Sequence, residues 1–326
     1  MPFQALRPAP DRAASAGQRP MASTAAGPVV LPSGERIPAL GQTTRGLGED
    51  PHRYAAELKL LRLGLDLGMS LIEAAEGYDD DGAERFVGDA VGSRRDEVFL
   101  VVAAMPGRRS ARAIVAACER SLRRLGTDRI DLYVTQGPGI CQSDHGVHET
   151  LVAIGALLLD GKLRYWGVAD VDAHELGELC RMGMRTGLAA CQVRYNLGRR
   201  VMERELLPWS RAHAFPLMAH SPLATGSLFH HPALRALADQ HGCTTAQLAL
   251  AWVLRHAGMC ALVRASSSAH VRQNRCALEL RLDAGALDAL DRAFPVPHPP
   301  FIPHPPFIPH PPFIPHPTFT RRYAVS

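Results

Sequence analysis

The chain has 326 residues, 46% of them hydrophobic and 21% charged, with a formal net charge of +4 at pH 7. That length buries a full core, and roughly 250 residues is the usual size of an eight-stranded α/β barrel, so one large domain is enough. The small positive excess, with no Lys/Arg run interleaved with aromatics, argues against a nucleic-acid partner, and no apolar run reaches the roughly 20 residues of a membrane helix.

The N-terminus lacks the basic-then-apolar pattern of a signal peptide. Cys118, Cys141, Cys180, Cys191, Cys243, Cys260 and Cys276 form an odd set without a C-x-x-C pair, the usage of a reduced, cytoplasmic protein. Residues 1–27 are rich in Ala, Pro, Ser and Arg without periodicity and read as a disordered leader, either linker sequence or a targeting signal.

From residue 28 to 295 strands alternate with helices, the pattern of a parallel sheet with crossover helices. Val29 to Leu40 predicts a hairpin turning at Ser33-Gly34-Glu35, followed by a first barrel strand near Leu40 to Thr44. Helix one is capped by Asp50, opens on Pro51, carries Tyr54, Leu58, Leu61 and Leu65 on one face and stops at Gly68. Leu71 to Ala75 is an apolar strand interrupted by Glu73. Tyr78 follows that carboxylate by five residues, and Gly82-Ala83-Glu84 opens a helix to about Val91. Strand three spans Val98 to Ala103, and Ile114, Cys118, Leu122 and Leu125 mark helix three.

GTDRIDLYVTQ is strand four; Val147, Leu151, Ile154 and Leu158 mark a helix ended by Gly161, and Tyr165 to Val168 is strand five. Asp172 with Glu175 three residues on is a capping-box-like helix start. Strand six is Ala190 to Val193, and a helix surrounds Glu203 to Ala212. Pro216 to His220 is strand seven, Thr244 to Arg255 a helix, Ala261 to Val263 strand eight, and a last helix lies near Ala286 to Phe294. Eight strand and helix pairs close a (β/α)8 TIM barrel of the α/β class, with the N-terminal β-hairpin outside it.

Residues 296–326 form a proline-rich tail whose core, 297–320, repeats PHPPFI three times and ends in PHPTFT. Such a repeat joins neither sheet nor helix and favours polyproline II, so the tail is expected to be disordered in isolation. Each repeat offers one His and one Phe. The tail is therefore either a handle for a protein partner with an aromatic groove, a metal-collecting row through His298, His304, His310 and His316, or a repeat without a dedicated ligand. His145 and His148 have no Cys or carboxylate at metal spacing, so no metal site is expected in the barrel.

Five segments, LGTDRIDLY, GKLRYWGVAD, QVRYN, AHSPLATGSL and AQLALAWVLRH, together with SLIEAAEGYDDDGAE, resemble the aldo/keto reductases in the family's order, over roughly residues 28–295. The resemblance implies an oxidoreductase that reduces a small-molecule carbonyl substrate with hydride from NADP(H). Four residues carry the family's chemistry: a Tyr acid, a Lys and an Asp that lower its pKa, and a His that orients the carbonyl. The Tyr matches Tyr78, the Asp position holds Glu73, the Lys position Ala103 and the His position Gln136.

Losing the Lys leaves the phenol near a pKa of about 10, so roughly a thousandth would be tyrosinate at neutral pH; oxidation suffers more than reduction. Gln136 keeps an amide donor for a carbonyl oxygen. A carboxylate at Glu73 is expected to take a proton or find a cation, with Arg45, His52, Arg108 and Arg109 in reach by sequence; the alternative is a solvated carboxylate.

For the cofactor, the resemblance places Ala169, Asp170 and Gln192 at the nicotinamide carboxamide, His220 under its ring, and Ser221, Leu223 and Gly226 in the loop over the pyrophosphate. Arg264, Ser266, His270 and Asn274 fall at the adenosine end. Arg264 facing a helix N-terminus would pair with a 2′-phosphate, which favours NADP(H) over NAD(H). Two functional readings follow. One is a working but impaired or atypical reductase using Tyr78; the other is a catalytically inactive NADP-binding scaffold or redox sensor.

Overall fold

A computed structural model of the chain describes residues 26–75, 82–104, 110–136, 144–181 and 187–297. A short antiparallel hairpin comes first, β1 (Val29–Val30) and β2 (Arg36–Ile37). The barrel then runs β3 (Leu40–Thr43), α1 (Pro51–Asp66), β4 (Leu71–Ala75), α2 (Gly82–Val91), β5 (Phe99–Ala103), α3 (Ala111–Leu125) and β6 (Ile130–Gln136). It continues through α4 (Asp144–Leu159), β7 (Leu163–Ala169), α5 (Ala173–Arg181), β8 (Leu188–Arg194), α6 (Leu206–His213) and β9 (Leu217–His220). The last elements are α7 (Pro232–Gln240), α8 (Thr245–Val253), β10 (Met259–Val263), α9 (Ser268–Cys276) and α10 (Ala284–Ala293). Strands β3 to β10 pair in parallel with their sequence neighbours, and β10 closes on β3 through Ala261↔Leu40 and Val263↔Gln42. This is the (β/α)8 barrel with an N-terminal hairpin that the alternation predicts.

Local chemistry sets the helix limits. Asp50 accepts from the His52 N–H at 2.9 Å ahead of Pro51, and Gly126 ends α3 with φ 64°. The Asp172–Glu175 capping box is reciprocal, 2.9 and 2.8 Å, and a second one forms between Thr244 and Gln247. The helix predicted over Glu203 to Ala212 is broken into a 3-10 turn, Val201–Glu203, and then α6. Pro208 is the reason: a proline is tolerated only in the first helical turn, so the helix starts at Leu206.

The hairpin covers the amino ends of the strands. Val29, Leu31 and Ile37 are buried there. Glu35 accepts a hydrogen bond from Tyr165 at 2.7 Å and pairs with Arg164 at 2.7 Å, and Arg164 also reaches Asp131 at 2.8 Å. Closing that end leaves the carboxyl ends of the strands for a site.

Behind β8 lies a buried polar network. Tyr195 donates its hydroxyl proton to Glu203 at 2.6 Å, accepts from Arg255 at 3.0 Å, and sits 3.1 Å from His256 Nε2. Arg211 lies 2.7 Å from His256 Nδ1. A guanidinium only donates, so Nδ1 accepts and the imidazole is neutral with its proton on Nε2. Burial, reinforced by the charges of Arg255, Arg211 and Arg200, pushes His256 down to about 2. Burial alone would raise Glu203; hydrogen bonds from Arg200 and Tyr195 and the adjacent guanidinium charges outweigh it and hold the carboxyl below its ordinary value. Arg200 also donates to the Phe294 carbonyl at 2.5 Å, and Arg204 bonds the Pro297 carbonyl, which ties the end of the described chain to the loop after β8.

Candidate active site

The carboxyl ends of the strands bring most of the sequence-predicted residues onto one rim. Register places Glu73 beside Thr43, Ala103 beside Ala75 and Val134, Gln136 beside Ala169, Ala169 beside Gln192, and His220 beside Arg194. Tyr78, Arg108 and Arg109 lie outside the described residues.

Glu73 belongs to β4 and Gln192 to β8, four strands apart whichever way the barrel is followed. Their side chains nonetheless meet: Gln192 Nε2 donates to Glu73 Oε1. Both are buried, 7% and 5% exposed, so Glu73 is not a solvated carboxylate, and among the described residues its side-chain partner is an amide. Main-chain bonds hold its position, since the Thr44 N–H and hydroxyl donate to the Glu73 carbonyl at 3.0 and 3.1 Å. Close by inside the barrel, burial pushes the Cys260 thiol up to about 12, and Glu73 adds to the shift.

Asp170 follows β7 with φ 56°, and its N–H donates to the Gln192 carbonyl at 3.0 Å. Its carboxylate lies 3.6 Å from His220 Nε2. The approach of His220, against the opposing effect of burial, holds the Asp170 carboxyl below its ordinary value, with Arg194 and Arg199 adding positive charge. His220 Nδ1 is 3.4 Å from Ser221 Oγ.

The loop after β9 is strained: Ser221 has φ 51° and Ala224 φ 46°, while Gly226 takes φ 88° without penalty. Asn196 pins it by donating to the Ser221 carbonyl at 3.0 Å, and Leu223 packs against the core. Asn196 appears in the sequence only within QVRYN; its bond to a residue 25 positions on leaves no local signal.

The remaining candidates gather where β10 meets α9. Arg264 is exposed directly after β10, and its guanidinium passes over Gly46, where a Cβ would lie 3.0 Å from Nη1. Ser267 caps α9 by accepting from the His270 N–H at 3.2 Å, Ser266 Oγ lies 3.1 Å from His270 Nδ1, and Asn274 is buried one turn further on. Free N–H groups at such a helix start favour an anion, and Arg264 supplies a matching charge. Among the described residues no group of three or more His, Cys, Asp or Glu could hold a metal ion, and no helix is long and apolar enough to cross a membrane.

Comparison with known proteins agrees with this architecture. Methylglyoxal reductase YeaE of Escherichia coli (strain K12) is 40% identical over 266 residues, covering 80% of this chain and 92% of that protein. A crystal structure of an aldo-keto reductase from Klebsiella pneumoniae in complex with NADPH superposes with a TM-score of 0.79 at 38% identity, over 85% of this chain and 98% of the other. The thermostable aldo-keto reductase Tm1743, solved with the inhibitor epalrestat, gives 0.74 at 31% identity, over 80% and 97%. Residues 39–294 match the model of the Aldo/keto reductase family, and the chain belongs to that family.

Proposed function

We propose that the chain is an NADP(H)-dependent reductase of small carbonyl compounds, with reactive aldehydes of the methylglyoxal type as its substrate class and Tyr78 as proton donor. The observation that carries this reading is the rim itself, where an amide, an imidazole and an anion-binding helix start follow one another round the carboxyl ends of β8, β9 and β10. That donor set suits a phosphorylated dinucleotide. Gln192 and Asp170 would hold the carboxamide, His220 would lie under the ring, and Ser221, Leu223 and Gly226 would pass over the pyrophosphate. Arg264, Ser266, His270 and Asn274 would take the adenosine 2′-phosphate end. The relative solved with NADPH supports this choice, and methylglyoxal comes from the name of the 40% identical one.

The cofactor, when bound, supplies a hydride to the carbonyl carbon. The side chains do the rest. Gln136 donates an amide hydrogen bond to the carbonyl oxygen, and Tyr78 transfers its phenolic proton to that oxygen as negative charge develops. Ala103 brings no cation to the phenol, so Tyr78 stays protonated at neutral pH, the form reduction needs. The same set of Glu73, Ala103 and Gln136 favours a second reading, an inactive NADP-binding scaffold with the PHPPFI tail as its handle for a protein partner. Free Cys191 and Cys260, both buried, fit a reducing cytoplasm under either reading.

Turnover of methylglyoxal with NADPH by the wild type, Tyr78→Phe and Ala103→Lys separates the two. Loss of roughly a hundredfold or more in Tyr78→Phe is expected for the reductase. No rate in the wild type, with NADPH bound, establishes the scaffold.

A further inference from the structure

We infer that Glu73 is a positioning residue that sets which face of the Gln192 amide the site presents, and thereby makes the site select a nicotinamide carboxamide through its NH2 group. The inference rests on the cofactor reading above and extends it. Gln192 and Glu73 stand on opposite strands, so the link crosses the barrel lumen instead of following the sheet. A terminal amide has two nearly isosteric orientations, one offering oxygen and the other nitrogen. A carboxylate accepts only. With both groups buried, the orientation that turns Gln192 Oε1 toward Glu73 would set two acceptors against each other without water to separate them.

Nε2 is therefore committed to Glu73, and Oε1, which has no partner among the described residues, is the acceptor left for a ligand. The backbone on both sides holds the arrangement. Thr44 donates to the Glu73 carbonyl, and Asp170 to the Gln192 carbonyl at 3.0 Å. Ala103, two positions along β5 from the residue paired with Glu73, brings no charge. A carboxylate reaching from β4 to the amide of β8 thus does a different job from one that polarises a phenol.

The test compares NADP+ with its 3-acetylpyridine analogue, in which a methyl replaces the amide NH2 while the carbonyl is kept, by calorimetric titration of the full chain. The wild type is expected to prefer NADP+ by roughly tenfold, the range of one hydrogen bond. In Glu73→Gln the facing amide accepts or donates, Gln192 is free to turn, and the preference falls below about twofold. 2′,5′-ADP, which has no nicotinamide, binds both proteins equally and reports that the variant is folded. An undiminished preference in Glu73→Gln, or a wild type that binds the analogue as well as NADP+, overturns the inference while leaving the cofactor reading intact. A wild type that binds 2′,5′-ADP and NADP+ not at all takes down the cofactor reading and this inference together.

Discussion

Lowering the pH from 7.5 to 5.0 should cost the protein about 2 kcal/mol of stability through His256 alone. Folded, the ring is held neutral by burial and by three guanidinium charges, with its pKa pushed down to about 2 from 6.5. Between those values the unfolded chain binds a proton that the folded chain refuses, so stability rises with pH through the window. It is fully present above about 6.5 and drains as the pH falls. At pH 5.0 the unfolded imidazole lies roughly one and a half units below its pKa, and about 1.36 kcal/mol per unit gives the figure above.

His256→Gln removes the titration while its amide can still accept from Arg211 and donate toward Tyr195. Urea unfolding at both pH values is the assay. The wild type should lose about 2 kcal/mol more than the variant between pH 7.5 and 5.0. Glu203 titrates lower and leaves this comparison alone, since its stabilisation is lost only as the pH falls below the ordinary carboxylate range. Equal losses in the two proteins, or an imidazole resonance of His256 that titrates near 6.5 in the folded chain, would refute the neutral buried ring.

Two further perturbations follow from close contacts. A Cβ at Gly64 would lie 2.0 Å from Gln42 Oε1, so Gly64→Ala must evict a buried side chain that donates to the Leu61 and Met69 carbonyls at 3.1 Å each. Two lost hydrogen bonds and their unpaired acceptors predict about 2–4 kcal/mol of destabilisation in a denaturant titration, despite alanine's better helix propensity. Arg264→Ala should weaken NADPH by roughly 10- to 100-fold, the range of one charge-assisted contact, and leave NADH nearly unchanged; fluorescence titration with both nucleotides reads the ratio.

The sequence carries the parts of this molecule that act over a few residues. Asp172 and Glu175 cap a helix three positions apart, and the apolar spacing of Leu61 and Leu65 in α1 matches their burial. Helix α7, by contrast, is too short for its Leu234, Leu237 and Ala238 to stand out as a period, and Pro208 moves the start of α6 in a way that periodicity does not register. At the rim, strand order alone brings Gln136, Ala169 and Gln192 side by side. What one dimension hides is contact across the lumen. Glu73 reads as a carboxylate in search of a cation, and its partner is an amide 119 residues away that only closure of the barrel delivers.

The hairpin at the foot of the barrel and the Arg200–Arg204 clasp on Phe294 and Pro297 place the two exits of the chain on different sides. Tethering the protein to a bead or an electrode through the segment ahead of β1 would turn the mouth outward, toward incoming small molecules. Joining a support at Pro297 itself would set it next to the loop after β8 and crowd the entrance.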